Sequence, residues 1–436
     1  FVLVGAVVRN EAHNFRYPRF NLLRYRWLRA LFSRPFLLPI KAVSVFLLLL
    51  VIAAGLFGSA RPVQNLAPTF VWVIWWVGMG FFVALFGNLW ALVNPWKVLY
   101  GWAEFLYQQF RPDEQLTLGY EYPEQWDIWP AVVLFFAFAW VENAFAEGAN
   151  PRSLAWMAII YSIITLGGMF IFGKYQWLRH GEVFSVVFSF LSQFSVTEVR
   201  VTEPVTCQEC SSGNCQSEGG NCIDCYEFFQ YAEDREFNLR PPAVGLNNLG
   251  PVTPSVVAMV MLILATVTFD GFSATPEWLQ VQSFFITQFP NLNSEFINGI
   301  TIANTLGLLG FPLAFAAVYW FFSYLMYRVV GRHTPVVATL IGAFVFSLLP
   351  IALAYHYAHF LSFLLIQGQQ IIALASDPFG LDWDLFGTAD YLINIQVTSA
   401  RFVWFFSVIV IVVGHIIAVY LAHMRAMRLY PDRLWW

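Results

Sequence analysis

Between Arg332 and Asp377 the chain runs without a single Asp, Glu, Lys or Arg. A water-soluble fold has no interior large enough to hide such a run, whereas a bilayer core about 30 Å thick asks for it: roughly 20 apolar residues per helical crossing. Stretches of that kind recur. Eight reach full length, at 37–57, 69–93, 128–147, 153–173, 254–272, 298–327, 336–366 and 402–424. Composition agrees. Hydrophobic residues make up 58% of the 436 and charged residues 11%, against about 25% charge in soluble domains, and the mean hydropathy is +0.61. The bilayer is the expected solvent. The expected fold is an all-α integral membrane protein, a polytopic helical bundle of about eight transmembrane helices.

Details of the spans follow from the same patterning. The stretch 183–196 is apolar but short, so it is expected to lie in the interface or to pack against the bundle. The run 336–366 reads as one long helix kinked at Pro350. Trp72, Trp75, Trp76, Trp90, Trp96, Trp126 and Trp129 fall near span ends, where interfacial belt residues are expected. The opening octet FVLVGAVV reads as the end of a further span that begins upstream, which would make nine.

Orientation comes from basic residues in short loops. The segment 9–34 holds seven Arg against one Glu, Arg328 and Arg332 flank a short turn, and Arg425, Arg428 and Arg433 sit in the tail. All three regions fall on the cytoplasmic side if the eight spans alternate, which makes the C-terminus cytoplasmic. The chain then divides into a truncated span plus basic segment (1–36), a four-helix membrane half (37–173), a cytoplasmic loop (174–253), a second four-helix half (254–424) and a tail (425–436). A net charge of −4 and the lack of any Lys/Arg run exclude a nucleic-acid partner.

All five cysteines lie in the 174–253 loop, in the pattern C-x2-C-x4-C-x6-C-x2-C. Two C-x-x-C knuckles can offer four thiolates to one tetrahedral ion. Cys207, Cys210, Cys222 and Cys225 are therefore the expected ligands of a structural zinc, with Cys215 spare. Disulfides and idle thiols remain the alternatives. A reducing cytoplasm favours metal over disulfides. The loop is also rich in Asp and Glu, including Glu198, Asp224 and Glu227, as a solvated docking module would be.

Ionisable groups inside spans are costly and mark function by default. His356 and His359 are three residues apart on one helix face, and His415 and His423 lie about two turns apart on the last span. Imidazoles from two consecutive helices could hold haem b or copper, or relay protons. Buried histidines that merely bond a neighbour are the plain alternative. Glu142 and Asp270, near span ends, are candidates for a pathway from the outer side; helix capping or snorkelling to water is the plainer explanation.

Four stretches carry a resemblance: GNLWALVNPWKVLY (87–100), TVTFDGFSATPEW (266–278), AYHYAHFLSFLLIQGQ (354–369) and GHIIAVYLAH (414–423). On these the chain resembles uncharacterised bacterial multi-pass membrane proteins labelled fenitrothion hydrolase-like. The resemblance implies a place in the bacterial cytoplasmic (inner) membrane and an additional upstream span. The sequence itself offers no G-x-S-x-G, H-E-x-x-H, phosphate-loop or C-x-x-C-H motif. Whether the chain is an enzyme is left open. Three functions are expected in this order: a redox or metal-handling protein with haem b or copper at the late histidines, an accessory subunit of a larger membrane complex, and a proton-coupled transporter.

Overall fold

Uncharged runs of Leu, Ile, Val, Phe and Ala leave the backbone one way to satisfy its N–H and C=O groups without water, the helix. The computed structural model follows that rule; it describes residues 17–202, 216–218, 221–247, 252–290, 294, 297–330 and 337–430. In chain order the main helices are α1 (Arg34–Phe57), α2 (Leu66–Phe86), α3 (Pro95–Phe110), α4 (Trp129–Asn143), α5 (Pro151–Phe172), α6 (Lys174–His180), α7 (Val183–Ser192), α8 (Pro254–Ser273), α9 (Pro276–Gln288), α10 (Gly299–Val330), α11 (Val337–Gln367) and α12 (Ala400–Leu429). Among the described residues seven of these, α1, α2, α5, α8, α10, α11 and α12, are long and apolar enough to cross a membrane. The stretch expected as a span at 128–147 forms only the 15-residue α4, about 22 Å of helix.

Two span irregularities have local causes. α11 is interrupted by a 3-10 turn at Val345–Leu348, and Pro350 opens the α-helix that follows. Proline is tolerated there because a first-turn N–H has no helical partner to lose. In α2, Thr69–Val77 is wound as a π-helix before Gly78–Phe86 returns to α geometry.

Polar ties hold α4 at both ends, to α8 at its start and to α10 at its close. The Asp127 carboxylate, just before α4, accepts from the Thr253 and Ser255 hydroxyls at the start of α8. At the other end Asn304 of α10 donates to the Asn143 carbonyl over 2.7 Å, and its side-chain oxygen accepts from Trp278 of α9. The C-terminal ends of α4 and α8 therefore share one end of the bundle.

The short α7 is not interfacial: it packs against the bundle as its centre. Val183, Phe184, Val186, Val187, Phe188 and Leu191 are all buried. Phe184 meets Trp75 edge-on at 4.4 Å between centroids, and Phe138 meets Trp76 at 4.7 Å. Trp76, Trp90 and Trp96 are thus core residues instead of the expected belt, while Trp126 and Trp129 are exposed. Glu182 caps α7 and is fully enclosed. Its carboxylate accepts from Trp90, Asn94, Tyr161 and the amides of Phe184 and Ser185, at 2.5 to 3.3 Å. Five donors offset the loss of water that would otherwise forbid a buried charge.

The bundle is not purely helical. An antiparallel sheet in the order β1-β5-β2-β4-β3 is built from β1 (Phe20–Asn21), β2 (Thr197–Val201), β3 (Gln216–Glu218), β4 (Asn221–Ile223) and β5 (Arg235–Leu239). β1 belongs to the basic N-terminal segment, so that segment and the 174–253 loop form one module. Val199 and Val201 turn inward with Leu23, Cys222, Cys225 and Phe229. Glu198 and Asp224 are not solvated acids. Glu198 accepts from Tyr17 (2.5 Å), Arg19 (2.7 Å) and Arg240 (3.2 Å), and Arg240 reaches Asp224 at 3.7 Å. Burial, and then Glu198, push the Tyr17 hydroxyl up to about 12.

Candidate functional site

The fold unites two sets of residues that the sequence presents as separate. Glu142 lies one residue from the end of α4, Asp270 three from the end of α8. Both face a small cavity of about 40 Å³ that is also lined by Trp76, Gly80, Thr266, His356 and Phe360. A water needs about 10–15 Å³ on this scale, so two or three fit. His359, one turn from His356 on α11, bonds the Asp270 carboxylate through Nε2 at 2.8 Å. Two carboxylates and two imidazoles, from α4, α8 and α11, thus form one group at the end of the bundle away from the sheet.

Each member is placed by its helix. Glu142 accepts from the Trp76 indole, and the Asn143 amide stands 3.5 Å away. His356 bonds the Val77 backbone at the close of the π-helix. A π-helical segment shifts the register of the carbonyls after it and is frequent at functional sites. Gly80 leaves room for the ring: a Cβ there would stand 2.9 Å from His356 Nε2. That nitrogen is buried and, among the described residues, has no protein partner. The Tyr355 hydroxyl packs against Gly271, beside Asp270.

Exposure differs along the group. His359 and Asp270 side chains are 31% and 28% accessible, whereas His356 Nε2 is buried. Among the four, His359 and Asp270 are directly hydrogen-bonded, while Glu142 and His356 face the same cavity as Asp270. Carboxylates and imidazoles in hydrogen-bond succession can pass a proton, since each both gives and accepts one.

The other expected ligands lie elsewhere. His415 is exposed on α12 and bonds its own helix at the Ile411 carbonyl, 2.7 Å away. Gly414, not His415, faces α11, against Ala354 and Pro350. His423 is likewise exposed. Three imidazoles are therefore not brought together for haem b or copper, and among the described residues no group of three His, Cys, Asp or Glu is placed to hold a metal ion. Cys222 and Cys225 are both buried beneath the sheet; Cys207, Cys210 and Cys215 lie outside the described residues.

Gly80 was not singled out by sequence, and Trp76 was read only as a belt residue. Only the tertiary fold places them at the acids and imidazoles, and a Gly or Trp in an apolar span carries no signal of its own.

The fold and the group inside it define a class, a polytopic α-helical membrane protein with an intramembrane carboxylate–imidazole cluster. No protein-family model, curated protein or solved structure matches the chain.

Proposed function

We propose that this chain is a proton-coupled transporter in which Glu142, Asp270, His359 and His356 relay the proton. The observation that carries the reading is the convergence of Glu142, Asp270 and His356 from three helices on one cavity, with His359 bonded to Asp270 and an unpartnered His356 ring nitrogen buried there. Groups of this kind are retained inside membranes for ion pathways and relays. The redox reading drew on His415, which lies exposed on α12 away from the pair. The resemblance to fenitrothion hydrolase-like proteins adds a bacterial inner membrane as the setting; hydropathy gives eight crossings counting α4, and the basic residues of the short loops give a cytoplasmic C-terminus. In that orientation the His359–Asp270 pair lies toward the outside.

Proteoliposomes with a trapped pH dye test the reading. An imposed pH gradient drives proton entry in the wild type; Asp270→Asn and His359→Ala slow it by roughly a hundredfold, the lower end of what a positioned proton-transfer group contributes. Wild-type protein that carries no proton flux above empty liposomes sinks the proposal.

A second, structural element is proposed for the sheet module: one zinc bound by Cys207, Cys210, Cys222 and Cys225. The burial of Cys222 and Cys225 side by side in one small core supports it. Elemental analysis should find about one zinc per chain, and a disulfide among these residues would refute it.

A further inference from the structure

Away from the relay, on the other side of the Trp75–Phe184 contact, the bundle holds a much larger space. Its volume is about 470 Å³, and it is lined by aliphatic residues of α1, α4 and α5 and by the rings of Trp72, Trp75, Trp90 and Phe138. That size and lining suit a small-molecule site. Along α1 the lining runs from Ile40 to Val51, about 16 Å of helix. At the Val51 end α1 and α5 touch closely, because Gly55 lets Pro151 and Ala155 approach its backbone. Toward the other end Ile40 and Val43 of α1 and Ile160 and Ile164 of α5 line the space yet are exposed on the outside of the bundle. The two helices splay, and the space opens sideways between them into the lipid.

Cations gather at the open end. Lys41 sits between the lining residues Ile40 and Val43, Lys97 follows the lining residues Pro95 and Trp96, and Lys174 opens α6. The Lys97 and Lys174 ammonium groups stand 5.9 and 5.0 Å from the centre of one ring, Tyr175. Lys174 is paired with Glu104, and Lys41 bonds Gln230 at 2.5 Å. Lys97 has no such acid: it is partly buried, donates to the Ala91 carbonyl at 2.8 Å, and among the described residues forms no salt bridge. Burial, with Lys41 and Lys174 adding repulsion, lowers it to about 7. Glu227 attracts it from a distance but is itself paired with Arg179; a half-buried ammonium that no carboxylate touches is unfavourable unless an anion completes it.

The geometry points to a bound anionic phospholipid, its acyl chain in the crevice between α1 and α5 and its phosphate at Lys97 and Lys41. The apolar part accounts for the sideways opening, and the charge accounts for the unpaired ammonium. A free phosphate would satisfy the lysines but leave the crevice without its ligand. A neutral lipid would fill the crevice and leave Lys97 without a contacting anion.

The whole chain, purified in detergent and stripped of lipid, is offered phosphatidylglycerol or phosphatidylcholine and examined by native mass spectrometry. The expected result is retention of one phosphatidylglycerol at least roughly fivefold above phosphatidylcholine, the scale of one basic contact at a membrane surface. Lys97→Met abolishes the preference, Lys97→Arg keeps it, and Ala158→Phe, which fills the crevice and spares the lysines, lowers retention of both lipids. Equal retention of the two lipids, displacement by millimolar inorganic phosphate alone, or undiminished retention by both Lys97→Met and Ala158→Phe overturns the assignment. The proton relay is not touched by any of these variants, so its standing is independent of the outcome.

Discussion

At the scale of single residues, two buried charges and one half-buried one differ in what compensates them. Glu182 has five donors, Arg240 shares Glu198, Asp224 and two backbone carbonyls, and Lys97 has one carbonyl. Arg240→Met leaves Glu198 and Asp224 buried with less positive charge, so it should lose about 3–5 kcal/mol, the penalty for breaking a buried pair, read by denaturation in detergent. Lys97 makes a pH prediction. Its value falls from 10.5 to about 7 on folding. Between those limits the unfolded chain binds more protons than the folded one, so stability must rise with pH across that window. Denaturation midpoints of the lipid-stripped protein at pH 7 and pH 9 should show the rise, and Lys97→Met should flatten it. His415→Ala, by contrast, changes an exposed side chain and should leave stability within about 0.5 kcal/mol and proton flux unaltered.

At the scale of elements, the π-helical stretch of α2 does the positioning. It brings Trp76 to Glu142 and the Val77 backbone to His356, and Gly80 follows at the place where the imidazole needs space. Gly80→Val should displace the His356 ring and slow proton entry while Glu142 and Asp270 are intact; unchanged flux would show that the ring does not take part. These elements also show what a sequence can convey. Spans of 20 or more apolar residues were legible because hydropathy alone sets them, and so was the break of α11 near Pro350. The π-register was not, since nothing in TFVWVIWWV distinguishes it from an α-helix. The strands were too short, at two to five residues, for an alternating pattern to stand out. The central position of α7 was half legible: its length excluded a crossing, but only packing shows that its apolar face meets Trp75 and Trp76 and not lipid.

At the scale of the whole molecule, the account joins a membrane bundle to a small mixed module held by Glu198 and Arg240, with the candidate relay at the far end. The individual members of the site were visible in the sequence as ionisable groups in apolar surroundings. Their grouping was not, because Glu142, Asp270 and His359 lie more than 80 residues apart and hydropathy carries no pairing information. It pointed instead to consecutive helices and so to His415, which the structure leaves exposed on α12. The central claim is that the four groups act as one path. It is tested most directly by a double-mutant cycle on proton flux, with Glu142→Gln, His359→Ala and the pair measured in the same proteoliposomes. Residues acting as a unit are grossly non-additive. The account predicts that the double variant is no slower than the slower single one. Losses that multiply, or single variants that conduct like the wild type, would contradict it.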